Sequence, residues 1–494
     1  MRFAAAVFAA LIVGCQSQGP SPTPPSELRI LLQADLLSTD PNRDVETATE
    51  SVLFNVYEPL VGFDARLGIR PMLAESWEHP APERWRFHLR RGVRFHDGTP
   101  LTAGIVRETL LQLRDSRDRE AASMLATVQD ISVVDASTLD LVTSSPRAIL
   151  ANLPPVYIAR PAEAGRFPPW VGTGPFRLEE WSKGQRIVLR RARGYWGAPA
   201  HHERVVFEPL PYAQTRLERL RAGTADIVYE VPPEAVSGPC PGCRFVRHDG
   251  ATLYYLALNV RQRPWSDVRV RRAADLAIDR EGLVRRLNGT GRAAYQAAPP
   301  TVFGFDPALP PRQRDLDAAR RLIEQAGYRR GIQTTLDVYA ERAPIGQAIR
   351  DDLAEVGVAV VVNAVPSGSV YDLAKTGKRG ASLVGWVFSS GESSEFLECC
   401  LHTRSGSLGF NNMGGWSNPR VDVLAETNAT LLEPAVRLAA LKEAGGIVAA
   451  ELPVIPLYVA QDIYGVREGV SFIPRADGEI WLPDVRPAKD AGLP

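Results

Sequence analysis

"WRFHLRRGVRFHDGTPLTAGIVRETLLQL", residues 85–113, changes its hydrophobic period partway along. Trp85, Phe87 and Leu89 alternate with Arg86, His88 and Arg90, and Val93 and Phe95 alternate with Arg94 and His96, as in half-buried strands. Arg91-Gly92 and Asp97-Gly98 supply turn chemistry, so the reading predicts two short strands. Thr102 is then placed to cap a helix from Ala103 to about Leu113. Strands and a helix in such close succession indicate a mixed α/β fold.

The rest of the chain alternates in the same irregular way, with no repeat period. "ELRILLQADL" (27–36) is an apolar run bounded by turn formers, a buried strand. "VGTGPFRLEEW" (171–181) and "RIVLRRARGYW" (186–196) read as strands around a polar turn, with Gly172, Gly174 and Pro175 excluding a helix. "TLYYLALNV" (252–260) is a strand. "SDVRVRRAADLAIDREGLVRRLNG" (266–289) holds two helices capped by Asp267 and Asp279, and "DLDAARRLIEQAGY" (315–328) a third, capped by Asp315 and stopped at Gly327.

Composition sets limits on function. The 494 residues carry Lys+Arg 57 against Asp+Glu 57, so no net charge points to a nucleic acid or an anionic membrane. At the N-terminus Arg2 precedes an apolar run, Phe3 to Val13, too short to span a bilayer that needs about 20 residues. This is the pattern of an export signal over residues 1–14. Ile12, Val13 and Gly14 before Cys15 resemble a lipoprotein lipobox, which implies lipidation at Cys15 and a proline-rich tether over 15–26. Export permits disulfides. Cys240 and Cys243 in a Gly/Pro loop suit a small surface disulfide, whereas adjacent Cys399 and Cys400 could bond only with strain, so at least one is expected as a buried thiol.

Eight segments, in order, resemble the dipeptide- and oligopeptide-binding family of bacterial ABC-importer solute-binding proteins: "YEPLVGFD", "LAESWE", "WRFHLRRGVRFHDGTPLTA", "VGTGPFRLEEW", "YYLALNV", "DVRVRRAADLAIDREGLV", "DAARRLIEQAGY" and "GWSNPRVDVL". The resemblance covers about residues 27–480 and implies an α/β, two-lobed, three-domain periplasmic-binding-protein fold with a hinge of crossing segments. Domain I would take residues 27–57, 171–250 and 460–494, domain II 58–170, and domain III 251–459, with crossings near 247–253 and 454–461. It further implies a monomeric binder without catalytic residues, cofactor or metal. Such a protein would close on a peptide, leave the peptide's side chains largely unread, and deliver it to permease subunits and their ATPases.

The resemblance also proposes site residues. Gly385, Trp386, Val387 and Phe388 match the stretch whose backbone pairs with the peptide in that family, but Ser389 stands where an aspartate that holds the α-ammonium is expected. Either Glu392, the nearer, or Glu395 would have to take over the cation, or the ligand is not a free-amine peptide. Gln33 and Ala34 match an edge strand bordering the ligand, and of Tyr254 and Tyr255 only one can face the cleft, with Tyr254 preferred. An exported hydrolase is disfavoured because neither GxSxG nor HExxH occurs. A same-fold binder of an oligosaccharide, an opine-like compound or a metal chelate, and a sensory or scaffold lipoprotein without a transporter, stay open.

Overall fold

A computed structural model describes residues 27–43, 47–116, 122, 124–160, 170–366, 369–406 and 408–488; the expected signal segment, Cys15 and the tether lie outside the described residues. Its backbone is built on one long mixed sheet and a separate four-stranded sheet, with three two-stranded ladders beside them and helices covering them.

Two strands knit the long sheet together. Cys243–Leu258 and Val454–Arg467 pair antiparallel, Cys243↔Arg467 to Asp249↔Gln461 and Leu253↔Val459 to Ala257↔Val454, with the register slipping between Asp249 and Leu253 and again between Tyr254 and Tyr255. Gly250 sits at the first slip, where a Cβ would lie 3.1 Å from Asp462 Oδ2 and 3.3 Å from the Ala460 carbonyl. A side chain there would crowd the crossing. On one side of the pair run Ile227–Val228, Glu27–Leu32, Arg204–Pro209, Arg186–Arg191 and Phe176–Ser182; on the other Ala381–Val387, Ile332–Tyr339 and Val358–Val365. Each half has its own core: Ile30, Tyr57, Phe176 and Phe207 in the first, Leu253, Tyr255, Phe388 and Phe396 in the second.

The four-stranded antiparallel sheet runs in the order Ala74–Ala81, Arg84–Leu89, Thr138–Thr143, Val128–Asp135. Trp85, Phe87 and Leu89 face its core, and the Thr102 hydroxyl accepts from Ile105 N–H to cap the helix Ala103–Arg114. The second expected strand there does not form. Val93 and Phe95 are buried, but the segment bonds back on its own turn, Phe95 N–H to Thr99 and Leu101 N–H to Val93, because Gly92 and Gly98 at positive φ close a loop too tight for a ladder. The predicted caps at Asp267, Asp279 and Asp315 all accept backbone N–H groups. Strand Phe176–Ser182 starts only after Gly172 and Gly174, whose Cα atoms press on the backbone of Asn55 and Val56; a Cβ on Gly172 would lie 1.9 Å from Val56 O.

Residues 58–170 and 251–459 also touch away from the two long strands. Ala148 N–H donates to Ala429 O at 2.7 Å, and Leu432 packs on the core of the four-stranded sheet. Cys240 and Cys243 form a disulfide, while Cys399 and Cys400 are unbonded, the latter buried. No helix among the described residues is long and apolar enough to cross a membrane.

Candidate functional site

The strand Ala381–Val387, sequence ASLVGWV, is buried over its first four residues and becomes accessible at Gly385. One side is paired along its whole length, Leu258↔Ala381 to Thr252↔Val387. The other side is paired only at Ala381 and Ser382, with Leu336 and Asp337, so from Leu383 onward that edge has no strand partner among the described residues. Phe388 N–H donates to Ala251 O at 3.0 Å. Because antiparallel pairs alternate, Phe388, Trp386 and Val384 turn their peptide groups to the paired side, and Gly385 and Val387 turn theirs to the open one. Val387 is 59% exposed, and a Cβ at Gly385 would press on the Tyr254 ring at 3.2 Å. These residues make an accessible strand edge, to which an extended ligand backbone can add.

A carboxyl stands at the end of this edge. The chain turns at Gly391 (φ +68°) and enters a single helical turn, Ser394–Phe396, which brings Glu395 back to Ser389 and Ser390. Glu395 Oε2 lies 3.5 Å from Ser389 Oγ and accepts Ser390 N–H at 3.3 Å. Its other oxygen, Oε1, is buried without a hydrogen-bond partner among the described residues, as is Trp386 Nε1. Burial pushes the Glu395 carboxyl up to about 7, with Ser390 and the nearby Trp386 indole pulling the other way. A buried carboxylate with a spare acceptor is poised for a cation.

Several expected site residues are placed differently. Glu392 is buried and forms a two-pronged ion pair with Arg437, Oε1 to Nη1 at 2.8 Å and Oε2 to Nη2, so its charge is already matched; of the two glutamates it is Glu395 that reaches Ser389. Phe388 is 1% exposed and its ring packs 5.8 Å from Phe396, which makes it core and not a contact surface. Gln33 and Ala34 fall in a bend just after Glu27–Leu32, and that strand is internal, paired on both sides with Arg204–Pro209 and Ile227–Val228, so no edge strand exists there. Tyr255 is 1% exposed and edge-on to Phe396, whereas Tyr254 is half-buried and stacks on Tyr458 at 4.9 Å.

Two residues that the sequence reading missed complete the surroundings. Arg342 lies over the Tyr254 ring, 4.6 Å from its centre, and donates to its hydroxyl at 2.9 Å, with no acidic ion-pair partner among the described residues. Tyr371, on the short helix Ser369–Lys375, donates its hydroxyl to the Gly385 carbonyl at 2.7 Å. No local pattern signals either one, because each meets Gly385 or Tyr254 only through the tertiary fold.

Residues 68–407 match the family model for the middle region of bacterial extracellular solute-binding proteins, family 5. A glutathione-binding protein of Escherichia coli O1:K1 is 25% identical over 458 residues, 88% of this chain and 89% of that one. Among solved structures, the unliganded open form of the periplasmic murein tripeptide-binding protein MppA superposes with a TM-score of 0.85 at 22% identity over 95% of this chain and 99% of that one. The NikA protein of Brucella suis in complex with Fe(III)-EDTA superposes at 0.80, with 21% identity over 93% and 99%. The chain belongs to the family 5 extracellular solute-binding proteins, the substrate-binding components of ABC importers, and has their periplasmic-binding-protein fold.

Proposed function

We propose that this chain captures short peptides bearing a free α-ammonium between two lobes and hands them to the permease of an ABC importer. The observation that carries the reading is the meeting of a strand edge without a strand partner, most accessible at Val387, with the Glu395 carboxyl and its unpartnered oxygen at its end. Backbone pairing holds a peptide whatever its side chains, and a carboxylate at one end of the edge fixes its ammonium. In this account Glu395 takes the role of the aspartate replaced by Ser389, Trp386 lines the ligand, and Arg342 stands ready for a carboxylate. Domains I and II form one lobe, domain III the other, and the register slip at Asp249–Leu253 is where they hinge. Lipidation at Cys15 tethers the mature, monomeric chain outside the cytoplasmic membrane.

The similarity to a glutathione-binding protein makes that tripeptide a natural probe. A panel of di-, tri- and pentapeptides, glutathione, an opine and a metal–EDTA chelate, titrated by calorimetry, tests the reading. Saturable binding of free-amine peptides supports it. Binding of the chelate or opine alone would replace it with the second reading, a non-peptide solute, which Ser389 and Arg342, without an acidic ion-pair partner among the described residues, favour.

A further inference from the structure

A strand that adds to an open edge bonds to every second residue of it, here Gly385 and Val387. The two positions are not equally available. Val387 is exposed, but the Gly385 carbonyl already accepts the Tyr371 hydroxyl at 2.7 Å, and the helix that carries Tyr371 packs against the Ala381–Val387 strand. The phenol therefore takes one lone pair of that carbonyl and sits on the side of the edge where a second ligand residue would pair. Tyr371 is itself half-buried and packed on the core behind the strand, so it is a fixed stop and not a loose side chain.

We propose that Tyr371 is a length stop, which confines the site to peptides of about two or three residues; this rests on the peptide reading above. Between Ser389, beside Glu395, and Gly385 lie three positions, 386–388, about 10 Å at about 3.3 Å per residue, which leaves room for about three ligand residues between the two ends. Glu395 marks one end of that interval. The Tyr371 hydroxyl and Arg342, which lies on Tyr254 directly across from Gly385, mark the other. A longer peptide continuing toward Leu383 would have to share the Gly385 carbonyl with the phenol and displace its hydroxyl from the edge.

Calorimetric titration of wild type, Tyr371→Phe and Tyr371→Ala with alanine di-, tri- and pentapeptides tests this, with melting temperatures of the unliganded proteins as the folding control. Wild type should favour the tripeptide over the pentapeptide by about tenfold or more, the scale of one unmade buried hydrogen bond. Tyr371→Ala should bring the ratio to about threefold or less through a gain in the pentapeptide. Should that variant fail to fold, Tyr371→Phe, which keeps the ring and frees the carbonyl, should still narrow the ratio. A wild type that binds both lengths equally, or an unchanged ratio in a folded variant, overturns the length stop and leaves the peptide reading standing. If peptides of every length fail to bind, both fall together.

Discussion

Glu58 and Glu395 are buried carboxyls in different parts of the molecule, and burial pushes each up to about 7. Glu58 lies under the Tyr195 hydroxyl and the Trp196 indole N–H, each donating at 2.8 Å, one to each oxygen. Glu395 has one oxygen on the Ser390 N–H and the other on nothing among the described residues, beside an indole N–H equally without a partner. A raised pKa alone therefore does not distinguish structure from function here. What separates them is place: the spare oxygen of Glu395 stands at the end of an accessible strand edge, and both oxygens of Glu58 are taken up in packing. Glu58 closes a packing network, and Glu395 waits for a donor.

The sharpest way to break this contrast is to cut a satisfied pair close to the site. Glu392→Ala strands the Arg437 guanidinium in the interior, and breaking a buried pair in this way costs about 3–5 kcal/mol, so chemical denaturation should show a large loss of stability. Peptide affinity of the remaining folded protein should change by less than about threefold, or 0.65 kcal/mol. If affinity collapses while stability holds, Glu392 and not Glu395 serves the ligand.

Glu58→Ala leaves the donors of Tyr195 and Trp196 without acceptors, at roughly 1–3 kcal/mol for each, and should lower the melting temperature without altering affinity. A loss of affinity equal to that of a Glu395 variant would erase the distinction between the two carboxyls.

The smallest expected effect is on pH. A carboxyl raised to about 7 is mostly protonated at pH 5.5, and it must ionise to hold an ammonium, so binding there releases a proton and is weakened. Between pH 5.5 and 7.5 the affinity for a free-amine peptide should rise about twentyfold, before the α-amino group itself deprotonates near pH 8. For folding the sign is opposite. An acid whose folded pKa is raised favours the folded state while protonated and loses that contribution as pH climbs from the usual carboxylate range through about 7. Affinity that is flat with pH would show that Glu395 does not meet the cation.

How much of this was legible in the sequence follows the range of the contacts involved. Trp85, Phe87 and Leu89, the cap at Thr102 and the caps at Asp267, Asp279 and Asp315 depend on neighbours a few residues away, and the spacing alone located them. The family order of eight segments carried the architecture. Val93–Phe95 misled because alternation is necessary for a strand but does not provide a partner. Proximity to Ser389 favours Glu392 over Glu395, and nothing local reveals that Arg437, 45 residues further on, already holds it. Tyr371 and Arg342 were invisible for the same reason: each acts on a residue brought beside it only when the sheet assembles.

The central claim is that the unsatisfied Glu395 carboxylate receives a peptide's α-ammonium. A double-mutant cycle tests it directly, with calorimetric titration of a free tripeptide and its N-acetylated form into wild type and Glu395→Gln. In wild type, acetylation should cost about 2 kcal/mol or more, the scale for removing one member of a buried charge pair, and in Glu395→Gln the two peptides should bind alike. Equal binding of both peptides by wild type, or the same acetylation penalty in the variant, would contradict the account.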